Sequence, residues 1–260
     1  MRLPKIAGLI AATTGLGLAT ACNEPVAPAP SSDRLAAAAA SEKKLDLARC
    51  APTVGGFTIV STNPWFPMDV GRQLILEGEE EGQTITLQVT VLDRTRLIQG
   101  VLTRVVEERE WVDEELAEVT WNYHVQAPDG TICYYGEDVD IYEDGEITHE
   151  GAWCPGGNNL PGIFMPADPH PGIRYQNEVA PGVALDEARI VGIGPITVPF
   201  DRFAETIRIR EFDPLTGEED YKVHASGVGI IIDGILQLVD VNQTSGVPEL
   251  PTLTVQQCGS

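Results

Sequence analysis

Residues 83–93 alternate with a period of two: Ile85, Leu87, Val89 and Val91 fall on one face, Thr84, Thr86, Gln88 and Thr90 on the other. Only extended chain sorts residues this way, because successive side chains of a strand point to opposite faces, whereas a helix would scatter the four aliphatic groups around its axis. The expected element is a half-buried antiparallel strand. Comparable runs follow at 96–108, 118–125 and 131–135, with Ala127-Pro128-Asp129-Gly130 as a turn between the last two. Val139 and Ile141 continue the pattern, Asp144-Gly145 turns the chain, and 147–153 returns. Further runs lie at 174–179, 188–193, 196–199, 203–212, 219–225, 228–232 and 235–241. Residues 154–172 carry so many Pro and Gly that a long ordered loop is expected there. The tail 246–257 reads as extended.

Strands at short, even spacing without helices between them imply an all-β fold, an antiparallel meander curled into a sandwich or an open half-barrel. Residues 50–260 are read as one such domain. No fixed repeat is present, which excludes solenoids and propellers.

The first residues say where the chain works. Arg2 and Lys5 precede an uncharged run over 6–21, closing on Leu18-Ala19-Thr20-Ala21-Cys22. A basic start, a short apolar stretch and small residues before a cut describe a secretory signal over 1–21. A cysteine at the cut resembles a bacterial lipoprotein signal, which implies that Cys22 is lipidated and becomes the mature N-terminus. Residues 22–49 then form a Pro- and Ala-rich tether, with a helix expected at 36–49 capped by Ser32 or Asp33.

The net charge is −22, and the loss of Arg2 and Lys5 makes it two units more negative. Such a surface repels phosphate backbones, so nucleic acid is excluded as a partner. With Cys22 assigned to lipid, four cysteines remain, and an even number in an oxidising compartment implies two disulfides. The expected pairs are Cys133–Cys154, flanking the 144–145 hairpin, and Cys50–Cys258, joining the ends of the domain.

Several stretches resemble a widespread family of bacterial secreted proteins and lipoproteins. They are Asn63-Pro64-Trp65-Phe66-Pro67, Tyr134-Tyr135-Gly136-Glu137-Asp138, 161–169 (Pro-Gly-Ile-Phe-Met-Pro-Ala-Asp-Pro), Val198-Pro199-Phe200, and 225–230 (Ala-Ser-Gly-Val-Gly-Ile). The resemblance spans roughly 57–232 and implies a single all-β domain. It transfers no activity and no catalytic set.

No Gly-x-Ser-x-Gly elbow occurs, and His149-Glu150 lacks the second histidine of a zinc protease. A catalytic role is therefore not expected, and no cofactor is assigned; a carboxylate-dependent hydrolase is the weakest reading. Asp138, Asp140 and Asp144 sit among other acids in one hairpin and are the candidate calcium ligands. A ligand face is expected from Trp111, Trp121, Tyr123, Tyr135, Trp153, Phe164 and Met165, because curled sheets often line a mouth with aromatic side chains. The resulting expectation is a lipid-anchored envelope protein facing the periplasm or cell surface, a non-catalytic binding module for an apolar or amphipathic ligand or a protein partner. The alternative is an accessory subunit of an envelope complex.

Overall fold

The computed structural model describes residues 42–254 and 258. The expected leader, the Cys22 lipidation site and most of the tether lie outside the described residues. The 36–49 helix is overturned where it can be checked. Lys43–Lys44 (β1) is a short strand beside Ile173–Gln176 (β9), and only a 3-10 turn, Leu47–Cys50, follows, started by the Asp46 carboxylate accepting from the Ala48 N–H.

The all-β expectation holds. One curled, mainly antiparallel sheet of 14 strands is present, and it is not closed into a barrel. Its central run is a meander of Arg72–Glu80 (β2), Gln83–Ile98 (β3), Val101–Val112 (β4), Glu115–Gln126 (β5) and Ile132–Glu143 (β6). Glu146–Thr148 (β7) and Gly162–Met165 (β8) both pair with β6. On the other side β9 pairs with Glu187–Ile193 (β10). Ile196–Thr197 (β11) and Arg202–Phe203 (β12) make a separate small ladder. Thr206–Phe212 (β13), Glu219–Ala225 (β14), Gly229–Asp233 (β15) and Leu236–Gln243 (β16) then carry the sheet from β10 back to β2.

Two boundaries differ from the sequence reading. The run expected at 96–108 contains a tight turn at Gln99-Gly100, both with positive φ (49° and 79°), so β3 ends at Ile98 and β4 begins at Val101. The loop expected at 154–172 contains β8. Its breakers flank a four-residue stretch that finds a ready edge on β6, and pairing there overrides local propensity.

The sheet's two ends approach each other at β8 and the segment after β9, joined by one isolated bridge between Leu160 and Val179. Gly162 makes that approach possible: a Cβ there would stand 1.7 Å from the Asn177 carbonyl oxygen. Gly162→Ala is therefore expected to push the seam apart and cost about 1–3 kcal/mol, the usual range for forced overpacking. Urea denaturation measures it, and a loss below a few tenths would contradict the close approach.

The expected disulfide pairing is wrong; Cys50–Cys133 and Cys154–Cys258 form instead. The reason lies in how the chain ends are used. Cys133 opens β6 with its side chain on the outer face, where the 3-10 turn brings Cys50 and where the Tyr135 hydroxyl donates to the Cys50 carbonyl at 2.7 Å. Cys154 follows Trp153, whose backbone bridges Glu137 further along β6, and the C-terminal tail brings Cys258 to that spot. The N-terminal end is thus clipped onto β6 itself and the C-terminal end onto the Trp153-Cys154 segment that bridges it. Two disulfides fit an oxidising, extracytoplasmic compartment. Among the described residues no helix is long and apolar enough to cross a membrane.

Candidate functional site

Strands β4, β5 and β6 are buried on both faces, and the alternation assigns each residue to one of them. Register partners place Val105, Glu107, Arg109, Val119, Trp121, Tyr123, Asp138 and Asp140 outward. The C-terminal tail covers this outer face. The Arg109 guanidinium is clasped by Glu107 (2.9 Å) and donates to the Glu249 and Pro251 carbonyls at 2.6 and 2.8 Å. Trp121 Nε1 donates to Glu107 Oε2 at 2.8 Å, and the Arg94 guanidinium lies 5.0 Å from the Trp121 ring. Buried charges here are paired and hydrogen-bonded, the condition under which burial is tolerated.

The inner face carries the other parity: Glu108, Glu110, Glu118, Thr120, Asn122 and His124, with Tyr134 and Glu137 from β6. A bulge makes the last pair possible. Between Asn122 and His124 the partner strand spends one extra residue, at Tyr135-Gly136, so Tyr134 and Glu137 face the same way although three apart. Gly136 (φ 93°) is required, since a Cβ would meet the Trp153 carbonyl oxygen at 2.2 Å.

These side chains meet groups from the far side of the curl. The Glu108 carboxylate feels Lys222 of β14, although four strands separate β4 from β14 along the sheet; the two face each other across the interior. Lys222 Nζ lies 3.2 Å from Glu211 and 3.6 Å from Asp233. Burial opposes its charge, yet Asp233, Glu211 and Glu108 together hold its pKa well above the usual lysine value.

Lys222 offsets only part of the cost of burying the inner carboxyls. Burial, and then the neighbouring Glu118 and Asp233, pushes Glu110 up to about 8. Burial raises Glu108 and Glu137 to about 7 each. Glu178, buried and close to Glu137 and hydrogen-bonded to Asp186, lies well above the ordinary carboxylate range. Taking a carboxylate out of water favours its neutral form, and a second carboxylate nearby adds to that.

An aromatic wall adjoins this group. His124 stacks on Tyr134 with centroids 4.9 Å apart and packs against Phe66 (4.8 Å) and Phe164 (4.5 Å). Trp153 meets Tyr134 edge-on at 5.5 Å, and Phe164 reaches His224 of β14 at 6.3 Å. Desolvation lowers His124 to about 3 and His224 to about 4, so both imidazoles are neutral at pH 7. The Asn63–Pro67 segment crosses this end: Asn63 Nδ2 donates to the Gly130 and Pro166 carbonyls, the Gly227 N–H donates to the Pro64 carbonyl, and the Trp65 carbonyl lies 3.1 Å from His224 Nδ1.

The sequence-predicted ligand residues therefore split. Trp153 and Phe164 line the interior. Trp121, Tyr123 and Tyr135 do not: they face outward beneath the chain ends, the Tyr123 hydroxyl donating to Asp138 at 2.5 Å. Trp111 is partly buried near the β4–β5 hairpin tip, and Met165 is fully buried beside Ile132. The three aspartates are apart in function. Asp138 receives the Tyr123 hydroxyl and the Cys258 N–H, Asp140 receives Thr254 and lies 3.0 Å from His149 Nδ1, and Asp144 is exposed at the β6–β7 turn. Asp138 also lies near Cys154 and Cys258, whose sulfurs are bonded to each other and so are not free to ligate.

Sequence reasoning missed Glu110, Glu118, Asn122, His124, Glu178, Asp186 and Lys222. The parity of β5 held a signal: Glu118, Thr120, Asn122 and His124 share one face, but as polar residues they read as the solvent side. A separate outer depression of about 390 Å³, lined by 52, 55–59 and 100–102, contains no titratable side chain. The chain matches no family model, no curated protein and no solved structure.

Proposed function

We propose that this chain is a lipid-anchored protein of the bacterial envelope, held to the membrane through Cys22, whose curled sheet is a non-catalytic binding module with its ligand site on the inner face. One observation carries the reading: polar and aromatic side chains from β5, β6, β8 and β14 converge across the interior, and several of their polar atoms lack partners. A fold that needed only stability would use aliphatic groups there, because each unpartnered buried polar group costs about 1–3 kcal/mol. The amphipathic character of the lining, rings beside carboxyls, suits an amphipathic ligand.

The test uses full-length protein extracted in its lipidated form. Native mass spectrometry of material taken directly from membranes is expected to show a bound small molecule and a diacylglyceryl mass on Cys22. Unmodified, ligand-free protein that also gives no thermal shift across envelope extracts would end the proposal.

A further inference from the structure

The sheet carries its cations unevenly. Lys44 lies opposite Arg174, Arg174 opposite Arg189, and Arg189 opposite Arg210, so four cationic side chains stand in one cross-strand row over β1, β9, β10 and β13. Neighbouring strands are about 4.8 Å apart, which makes the row about 14 Å long. Arg208, two residues from Arg210 on β13, shares the face. It is the outer face. The alternate residues Tyr175, Ala188, Ile190 and Ile209 are buried on the inner side, whereas the side chains of Arg174, Arg189 and Arg210 are 45, 44 and 36 % exposed. Lys44 and Arg208 are exposed as well.

Like charges directly opposite each other in a ladder repel, so the row opposes folding unless anions answer it. The protein supplies few. Glu42 serves both Arg189, at 2.8 Å, and Arg174, at 3.9 Å, and Glu219 pairs with Arg210. Among the described residues, Lys44 and Arg208 have no ion-pair partner. With Glu187 of the adjoining row, five cations stand against three carboxylates, so the face stays positive on a chain of net charge −22. The acidic surplus lies elsewhere, at the hairpin tips 79–81, 113–115 and 143–146, all exposed and without a Lys or Arg among them. Charges farther away than about 8 Å are largely screened at physiological salt, so those tips do not decide what this face meets. Two exposed rings border the row on the same side: Tyr221, opposite Arg210, and Phe212, two residues past it.

We propose that this row is a docking face for the anionic phospholipid headgroups of the bilayer that holds Cys22, its guanidinium groups donating to phosphate oxygens and Phe212 and Tyr221 resting at the interface. The assignment adds a second surface to the inner ligand site and takes its occupant from the anchor reading, on which it rests. Charge and shape favour a bilayer. A planar guanidinium fork matches phosphate oxygens, and a flat row of such groups meets a layer of headgroups better than a single ion. Tyrosine, with an apolar body and a polar tip, suits the headgroup level. The chain also enters the domain at this edge: β1 carries Lys44, and residues 23–41 join it to Cys22. A connection of that length spans at most about 70 Å even when fully extended. An anchored domain therefore meets its bilayer at a high effective concentration, and a face of modest affinity is enough to orient it.

The experiment is vesicle co-sedimentation of the disulfide-intact chain from residue 22 onward carrying Cys22→Ser, so that adhesion comes from the protein surface alone. Vesicles of phosphatidylcholine with phosphatidylglycerol are compared with phosphatidylcholine alone, at low and high salt, beside soluble dextran sulfate. The protein is expected to bind the anionic vesicles more tightly than the neutral ones, by on the order of tenfold or more, and to lose that preference at high salt. A basic residue near an anionic surface contributes a factor of about five, so Arg189→Gln with Arg208→Gln, and separately Lys44→Gln with Arg174→Gln, are each expected to weaken binding about 20-fold. Arg72→Gln, across the sheet on β2, is expected to change nothing. Circular dichroism of each variant establishes that it is folded, and two pairs drawn from different strands keep the test decisive if one is not. Equal binding to neutral vesicles, no binding to either kind, or binding unchanged in both double variants overturns the docking face. Pelleting without vesicles assigns the row to a second copy, and dextran sulfate binding without vesicle binding assigns it to a soluble polyanion; each removes the bilayer as occupant. None of these results bears on lipidation, because Cys22 is absent from the test. Membrane-extracted protein without a diacylglyceryl mass on Cys22 removes the anchor instead.

Discussion

Cys154→Ser combined with Cys258→Ser is expected to lower the folding free energy by about 4–5 kcal/mol, the chain-entropy value for a loop near 100 residues. The two cysteines are 104 residues apart, so their bond withdraws a large amount of freedom from the unfolded chain. The native state is affected as well. The tail that Cys258 anchors supplies the Glu249 and Pro251 carbonyls to Arg109 and the Thr254 N–H to Asp140. Freeing it exposes Trp121, now 3 % accessible, so the double variant should also show red-shifted tryptophan emission. Urea denaturation of the oxidised proteins gives the first effect and fluorescence the second. A cost under about 1 kcal/mol, well below the entropic value, or a Cys133–Cys154 crosslink in peptide mapping, would refute the clip arrangement.

The second large effect is a stability that falls as the medium becomes more alkaline. Glu108 and Glu137 titrate near 7 and Glu110 near 8 in the folded protein, against an ordinary 4.5, because burial disfavours their charge. Between those values the native state holds more protons than the unfolded one. Stability contributed by these groups is therefore complete below about pH 4.5 and is lost as the pH rises through 7 to 8. The histidines act in the opposite sense: His124 near 3 and His224 near 4 are depressed from 6.5, so the unfolded chain takes up their protons first and stability falls below pH 6.5. From pH 6.5 to 8 the carboxyls decide the slope, and the protein is expected to lose on the order of 3 kcal/mol over that interval. Scanning calorimetry should give a higher melting temperature at pH 6.5 than at pH 8, and Glu110→Gln should flatten the difference. A melting temperature constant or rising over that interval would show that the inner carboxyls are solvated rather than desolvated.

Both expectations depend on features unequally visible in the chain. The alternation of 83–93 suffices for most of β3, and the turn residues at 127–130 and 144–145 suffice for the meander from β5 to β7, because pleat period and turn chemistry are local. The opposed directions of Glu137 and Asp138 follow from the same period: one contacts Tyr134 inside, the other Tyr123 outside. Local rules stop at the question of which face is the interior. In β5, Trp121 and Tyr123 look like core and Asn122 and His124 like surface, yet the chain ends fold over the aromatic side and the curl encloses the polar side. That exchange depends on a tail more than a hundred residues away, and the same distant contact decides the disulfide partners.

The strand β3 and the turns at 127–130 and 144–145 were thus determined by the order of residues alone, since each rests on neighbours a few positions apart. The bulge at Tyr135-Gly136, the seam at Gly162, the pairing of cysteines and the gathering of Glu137, Glu178 and Asp186 were decided only in the folded molecule. Each of these requires segments remote in the chain to meet, and the free energy of that meeting comes from desolvation and packing that no local pattern encodes.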